Sequence, residues 1–414
     1  MTVLVSHLTG NPNARAALRG LERNDLSPVF FTTLAISRGV VHGLSVSPGL
    51  AIELGRRVFT EVPPSRIMTT PWRELVRQTV RRVGLHSLMR HESGWASCDA
   101  IYRALDRHVA RALRRGMIRP RLVYAYEDGA LETFRESKRQ GIWTVYELPV
   151  AYWRAAHQIF GEERELRPAW ASTLDALLDS PAKLQRKDLE LALSDVVVVP
   201  SRFAAESLEL APEPPGRIEI FPYGVTSPAD APVAERGQHE PLRILYAGQL
   251  TQQKGLAYLF EALARFEYPY DLSLAGPLPT SLCEALEAAL GKPNHRWLGI
   301  LPHSRLMTEM MRNHVFIFPS LAEGFGLVVT EALSAGLPVI TTTNTCGPEI
   351  MTDGVEGFIV PIRDPDAIAD KLTLLYEDEG QRRVIAEAAK QRAAEVNWAR
   401  FEDRVAGLVR ELNA

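Results

Sequence analysis

Glu323 and Glu331 flank a glycine-containing turn, Gly324-Phe325-Gly326, in the stretch FIFPSLAEGFGLVVTEALSAGLPVITTTNTCGPE from Phe316 to Glu349. Glycines let backbone N–H groups approach a ligand closely, and the start of a helix just behind them favours an anion. An acid beside a phosphate repels it, so the two glutamates are better suited to accept hydrogen bonds from hydroxyls. A carboxylate with two oxygens can hold a vicinal diol such as a ribose. Phosphates and hydroxyl-rich rings together describe a nucleotide sugar. For the two glutamates taken alone, a capped surface helix with solvated acids is the plainer alternative.

A second cluster lies upstream, in Gly248-Gln249-Leu250-Thr251-Gln252-Gln253-Lys254-Gly255. Lys254-Gly255 is expected to open a helix, which would set a cation and free N–H groups at one helix end, an arrangement suited to a pyrophosphate. Gly276-Pro277 after the strand Leu272 to Ala275 adds another ligand-facing turn. Asp364-Pro365-Asp366 superficially resembles an acid pair for a metal. Asp364 reads better as an N-cap with Pro365 at the first helical position, so neither metal nor cofactor is expected. Cys98, Cys283 and Cys346 form no CxxC pair, which argues against a zinc site or a disulfide framework.

The elements that hold these residues follow a simple pattern. Val315 to Phe318 is a short apolar run closed by Pro319-Ser320, and Leu327 to Ala335 is apolar at helical spacing. Gly336 stands where a helix C′ residue belongs, Pro338 bars continuation, and Val339 to Thr341 reads as the next strand. Such a strand–loop–helix–strand unit builds a parallel sheet. Upstream, Val3 to Ser6 and Ala14 to Glu22 read as a strand and a helix, and the loop between them carries Gly10, Asn11 and Asn13. Strands Leu122 to Tyr126 and Trp143 to Tyr146 end in Glu127-Asp128 and Glu147. Loops at the carboxyl ends of parallel strands face the ligand crevice, so these six residues are candidates for the acceptor side. Asn as a turn or cap residue is the bland reading of Asn11 and Asn13.

Glu323, seven intervening residues and Glu331, with Pro319-Ser320 before and Gly336-Leu337-Pro338-Val339-Ile340 and Gly347-Pro348-Glu349 after, resemble the signature of the retaining family-4 glycosyltransferases. The resemblance is strong from about Val196 onward and weaker before it. It implies an α/β fold of two facing Rossmann-like domains (the GT-B architecture) around a deep cleft, with the nucleotide-sugar donor held by the second domain. By position, Glu323 would lie near the donor sugar and phosphates, and Glu331 would bind the ribose. Lys254 would neutralise the leaving diphosphate, which makes Lys254 and Glu323 the catalytic candidates. Gly248, Gly276 and the turn Gly324-Phe325-Gly326-Leu327 would also contact the donor. Leu298, within Trp297 to Pro302, would help cradle the base through main-chain groups.

Three departures from the family pattern stand out. Gln249 occupies the place of an arginine; as a donor-binding residue it can hydrogen-bond a phosphate oxygen but cannot offset its charge. Tyr223, in the hinge Pro222-Tyr223-Gly224-Val225, stands where an asparagine is usual. The histidine that commonly follows the strand Trp143 to Tyr146 is replaced by Leu148-Pro149-Val150; the nearest, His157, reads as a structural helix residue, and His303 as a surface residue at a helix start.

At 414 residues the chain can bury two cores. The expected division is 1–224, on the acceptor side, and 225–395, on the donor side. A closing helix at about 396–414 returns to the first domain, and Thr226 to Glu240 reads as the linker. A formal net charge of −3 gives no reason to expect nucleic acid binding. Residues 56 to 121 nevertheless hold 15 arginines, no lysine and five acids. Trp72 to Val83 sets apolar and basic residues at helical spacing, a face suited to an anionic membrane surface or an acidic acceptor or, more blandly, a solvated face paired to acids elsewhere. The N-terminus lacks signal-peptide character and no apolar run is long enough to cross a bilayer. A cytoplasmic protein is expected, with peripheral contact at the inner face of the cell membrane as an extension.

The functional expectation is a retaining, metal-independent glycosyltransferase that moves a sugar to a hydroxyl of a glycan or lipid-linked acceptor, as in cell-surface polysaccharide or glycolipid synthesis. Two alternatives stay open: a sugar-nucleotide epimerase on the same fold, using Glu127, Asp128 and Glu147, and a protein that binds the donor without turnover.

Overall fold

The computed structural model describes residues 2–37, 54–84, 86–225, 234–237 and 240–413. Most of the linker expected over Thr226 to Glu240 lies outside them, as do the side chains of Arg81 and Arg82. Seven strands form the first sheet: β1 (Val3–Ser6), β2 (Pro28–Thr32), β3 (Ile67–Thr69), β4 (Leu122–Tyr126), β5 (Trp143–Glu147), β6 (Val196–Val199) and β7 (Ile218–Ile220). Six form the second: β8 (Leu242–Ala247), β9 (Tyr270–Ala275), β10 (His295–Gly299), β11 (Val315–Phe318), β12 (Val339–Thr342) and β13 (Gly357–Val360). Their spatial orders are β3-β2-β1-β4-β5-β6-β7 and β10-β9-β8-β11-β12-β13, with every pairing parallel.

The central strands are short and apolar because both faces of each sheet are covered there, whereas the edge strands β3, β7 and β10 are partly exposed. Side chains alternate accordingly. Val3, Val5, Tyr124, Val145, Val196 and Val198 enter a core shared with the second domain, whereas Leu4, Val123, Ala125, Tyr146, Val197 and Val199 pack on the opposite face. The order reverses between β1 and β4 in one sheet and between β8 and β11 in the other. Loops diverge at such points and leave a crevice. The two crevices face each other.

Several contacts hold the domains in this arrangement. Glu163, fully buried on the helix Trp153–Leu166, accepts hydrogen bonds from Gln252 (2.6 Å), Tyr258 (2.9 Å) and Arg363 (2.9 Å) of the second domain. The last helix, Trp398–Glu411, crosses back to lie along Pro12–Arg23, where Glu402 accepts from Arg19 at 2.7 Å. Gly20 permits that approach, since a Cβ there would stand 2.4 Å from the Glu402 carbonyl oxygen. At the crossover, Val225 pairs with Asn397.

The local expectations need one structural revision. Lys254 does not open a helix but ends a 3-10 turn, Gln252–Lys254, and Gly255 in the left-handed region (φ 73°) redirects the chain into the helix Leu256–Arg265. The reason is steric: a Cβ at Gly255 would meet the Pro319 carbonyl oxygen at 2.0 Å, so the loops after β8 and β11 can pack only through this glycine. Asp364 caps its helix as its sequence suggests, accepting from the Ala367 N–H at 2.9 Å.

Candidate active site

A cleft of about 670 Å³ opens where the two switch points meet. His7 and Asn13 come from the end of β1 and the helix after it, and Tyr126, Glu127 and Asp128 from the end of β4. The facing wall is built from Gly248, Gln249 and Lys254 after β8, Gly276 after β9, and Phe318 to Glu331 around β11. Asn11, Phe325, Gly326 and Leu327 also line it.

Four of the expected residues lie elsewhere. Leu298 is not on the surface of the cleft; Ile300 and Leu301 are, because β10 bulges between Trp297 and Gly299 and carries the next residues inward. Gly324 packs against the first domain, where a Cβ would stand 2.0 Å from the Pro149 carbonyl oxygen, and its own carbonyl accepts from Ser201 at 2.6 Å. Gly10 lies over Phe59 and lines a neighbouring recess with Arg15 and Arg56. Glu147 is fully buried beneath the floor, where Tyr124 (2.6 Å), Tyr223 (2.7 Å) and Asn13 (2.6 Å) all donate to it. Burial raises its carboxyl pKa, and those three donors work against the rise.

On the second-domain wall Lys254 pairs with Glu323, and its ammonium lies 5.9 Å from the centroid of the Phe318 ring. Among the described residues Lys254 is the one Lys or Arg lining the cleft. Gln249 is exposed beside it, and its main-chain carbonyl accepts from the Tyr246 hydroxyl at 2.7 Å. Gly326 (φ 88°) then turns the chain into the helix Leu327–Ser334, whose first N–H groups have no side-chain cap. Such an end attracts an anion. One turn into that helix, a carboxylate oxygen of Glu331 lies 3.1 Å from His303 Nε2. Burial raises the Glu331 pKa and the imidazole opposes the rise.

The first-domain acids are less free than their position suggests. Glu127 lies 3.3 Å from Lys187, and Asp128 is paired with Arg186 (3.1 Å) and Lys183 (3.6 Å). Asp128 also holds a left-handed backbone (φ 71°), while the fully buried Glu190 accepts from its N–H at 2.9 Å. His157 packs edge-on against Trp153, away from the lining.

Two residues with a place in the site, His7 and Tyr223, are not among the site candidates read from the sequence. His7 follows β1 directly into the cleft, and its signal in the sequence is a polar residue closing a buried strand. Tyr223 is the least legible. Its hydroxyl reaches Glu147 while its ring touches Phe325 of the second domain (5.2 Å) and Trp398 and Phe401 of the last helix. Among the described residues the grouping with metal-ligand geometry is His91, Glu92 and Asp179, outside the cleft lining. Asp179 there already carries Lys183 and Lys187.

Residues 232–392 match the family described as glycosyl transferases group 1. The chain carries a glycosyl transferases group 1 domain. Nearly all of the second-domain wall, Lys254, Glu323 and Glu331 included, lies inside this group 1 segment. Over 218 residues the chain is 30% identical to the D-inositol 3-phosphate glycosyltransferase of Corynebacterium urealyticum, covering 47% of this chain and 51% of that protein. Over 241 residues it is 25% identical to the phosphatidylinositol N-acetylglucosaminyltransferase gpi3 subunit of Schizosaccharomyces pombe, covering 56% and 52%. The chain thus spans about half the length of these relatives. In three dimensions it resembles sucrose-phosphate synthase from Thermosynechococcus elongatus (TM-score 0.65, 17% identity, 100% of this chain and 99% of that one). It resembles Anabaena HepE in complex with UDP-glucose nearly as well (TM-score 0.62, 16% identity, 99% and 100%). At these identities the likeness establishes the fold, the GT-B arrangement of two parallel-sheet domains.

Proposed function

We propose that the protein is a retaining, metal-independent glycosyltransferase that moves a sugar from a nucleotide-sugar donor to a hydroxyl of a glycan or lipid-linked acceptor. The observation that carries the reading is the grouping of Lys254, Glu323, the uncapped helix start at Leu327 and Glu331 on one wall of the cleft, inside the group 1 segment. Glu331 binds ribose hydroxyls. The diphosphate lies towards Lys254 and the Gly326–Leu327 amides, which stabilise charge that grows as the glycosidic bond breaks. The acceptor hydroxyl attacks the face that the phosphate vacates, and that phosphate helps take the proton. This scheme needs no protein nucleophile and no free acid from the first domain, which agrees with the ion-paired state of Glu127 and Asp128. The same pairing disfavours an epimerase.

A donor-binding protein without turnover is the second reading, because Lys254, the one cleft cation among the described residues, is already balanced by Glu323. Thermal-shift measurements with UDP, GDP, ADP and dTDP identify the nucleotide, since a bound ligand raises apparent stability. Release of that nucleotide from the matching sugar, undiminished by EDTA, then tests turnover and metal independence together. No nucleotide binding refutes the proposal; binding without release across an acceptor panel leaves the second reading.

The acceptor side includes a surface suited to an anionic bilayer. Trp72 is 76% exposed and Trp95 47%, with the Arg73 guanidinium 4.4 Å from the Trp95 ring centroid. Arg73 and Arg77 donate to the main-chain carbonyls of Trp95 and Ala96, so neither charge is cancelled by those bonds. Other arginines of 56–121 are paired with acids, Arg57 with Glu74 and Arg114 with Glu136 among them. Among the described residues no helix is long and apolar enough to cross a membrane. Peripheral attachment through Trp72, Arg73 and Arg77 predicts co-sedimentation with phosphatidylglycerol vesicles at low salt that is lost as salt rises.

A further inference from the structure

We infer that His7 is a fixed, neutral hydrogen-bond donor to a sugar oxygen in the cleft: a specificity-determining residue that uses Nε2–H and does not serve as the base. The inference deepens the proposed transferase reading and rests on it for the identity of the ligand. The absence of the usual family histidine makes His7, the one histidine lining the cleft among the described residues, the natural substitute for a general base, and its geometry argues otherwise.

The imidazole Nδ1 accepts two backbone N–H groups, from Gly10 at 2.8 Å and Thr9 at 3.1 Å. A nitrogen that accepts two amide protons carries none of its own, so the ring proton resides on Nε2. Further bonds hold the loop in place around the ring. The His7 N–H donates to the Phe31 carbonyl (3.0 Å), and the Leu8 carbonyl accepts from the Thr32 and Thr33 hydroxyls at 3.0 and 2.8 Å. The ring is further wedged edge-on against Tyr126, 4.6 Å between centroids. Nε2 has no protein partner among the described residues, although the side chain lines the cleft. Burial disfavours a positive imidazole and the nearby Arg57 charge adds to that, driving the pKa down to about 3. The acids on the same side of the cleft are Glu127 and Asp128 at the end of β4, both ion-paired, with Glu147 buried beneath the floor. An N–H directed into the cleft gives up its water when a ligand fills the space, and a hydroxyl-rich ligand supplies the replacement acceptor.

Two conservative variants separate this role from simple support of the loop. The amide oxygen of asparagine reaches the place of Nδ1, so His7→Asn keeps the Thr9 and Gly10 bonds and loses the donor. The amide nitrogen of glutamine reaches the place of Nε2, so His7→Gln keeps the donor and loses the loop bonds. Nucleotide release from UDP-glucose, GDP-mannose and ADP-glucose, with melting temperature alongside, provides the readout. His7→Asn should melt like the wild type yet lose about tenfold in kcat/KM, the worth of one hydrogen bond. His7→Gln should melt lower yet keep kcat/KM within about threefold, a loss well below one hydrogen bond. A loss seen in hydrolysis without acceptor assigns the bond to the donor sugar; a loss confined to transfer assigns it to the acceptor. The opposite ranking, with His7→Asn active and His7→Gln inactive, overturns the inference.

Nitrogen-15 NMR of the ligand-free protein supplies a second, independent arm. It should report the neutral Nε2–H tautomer throughout pH 5 to 8, about the range in which an unperturbed imidazole titrates. An imidazolium appearing near pH 6, or the Nδ1–H tautomer, rules the inference out. Failure of all three sugars to bind the wild type would count against the transferase reading instead, while the NMR arm would still decide the state of His7.

Discussion

Exchanging the charges of the Lys254–Glu323 pair one at a time tests the site at its most loaded point. A diphosphate oxygen about 4 Å from the ammonium gains about 4 kcal/mol at an effective dielectric of about 20, and a carboxylate about 6 Å away costs it about 3 kcal/mol. The pair as a whole therefore attracts a diphosphate only weakly. Both side chains are about one-fifth exposed, 19% and 20%, so solvent reduces each term. Lys254→Ala removes the attraction and leaves Glu323 facing the phosphates. Because the leaving diphosphate gains charge in the transition state, kcat should fall by about a hundredfold, near 2.7 kcal/mol. Glu323→Gln does the reverse to binding: affinity for the free nucleoside diphosphate should rise by about tenfold, a discounted share of the Coulomb repulsion removed. Turnover should still fall, because Glu323 also faces the sugar. The double variant should bind diphosphate better than Lys254→Ala alone. Calorimetry gives the affinities and steady-state nucleotide release gives kcat. A raised KM with normal kcat in Lys254→Ala would mean uniform binding and no special work on the transition state. Weaker diphosphate binding by Glu323→Gln would refute the electrostatic argument outright. Gln249→Arg should accelerate turnover, since it adds a second cation at an exposed position whose main-chain bond to Tyr246 is untouched.

Three further outcomes are expected. Glu331→Ala should weaken nucleotide binding by about 1.5–3 kcal/mol, the scale of a charge-assisted hydrogen bond, with unaltered circular dichroism; because burial raises the Glu331 pKa, wild-type affinity should also decline on acidification at a higher pH than for a solvated glutamate. Gly324→Ala, which drives a Cβ to 2.0 Å from the Pro149 carbonyl, should lower the melting temperature and the rate together by prising the domains apart, and an unchanged melting curve would contradict that contact. Glu190 is raised to about 8 chiefly by burial, with the Asp128 charge adding to it, so the folded state holds its proton more tightly than the unfolded chain does. Stability should therefore fall as pH rises from the ordinary carboxyl range through about 8, and the slope should flatten in Glu190→Gln.

The repeating strand–loop–helix grammar was legible in the chain because a parallel strand buried on both faces must be apolar, short and bounded by turn residues. Val196 to Val199 and Val315 to Phe318 are strands over those very residues, and Gly336 holds the left-handed conformation its position after a helix demands (φ 74°). Lys254, Glu323 and Glu331 were legible for a related reason. Their backbone neighbours are constrained to particular turns, and those turns tie residue type to position over a span of eight or nine residues. What the sequence left open was every relation that spans the chain. Glu147 and Glu127 look alike as acids at strand ends, yet one is sealed under Tyr124, Tyr223 and Asn13, and the other faces the cleft beside Lys187. Gly324 and Gly326 look like equal halves of one turn, yet the first is filled by Pro149 from another domain. His7 became a fixed donor only when Thr9 and Gly10 folded back on its ring, and Tyr223 acquired its role from partners as far away in sequence as Asn13 and Phe401. Local periodicity and turn chemistry act over a few residues, whereas burial, ion pairing and close approach are set by whichever segments the fold brings together.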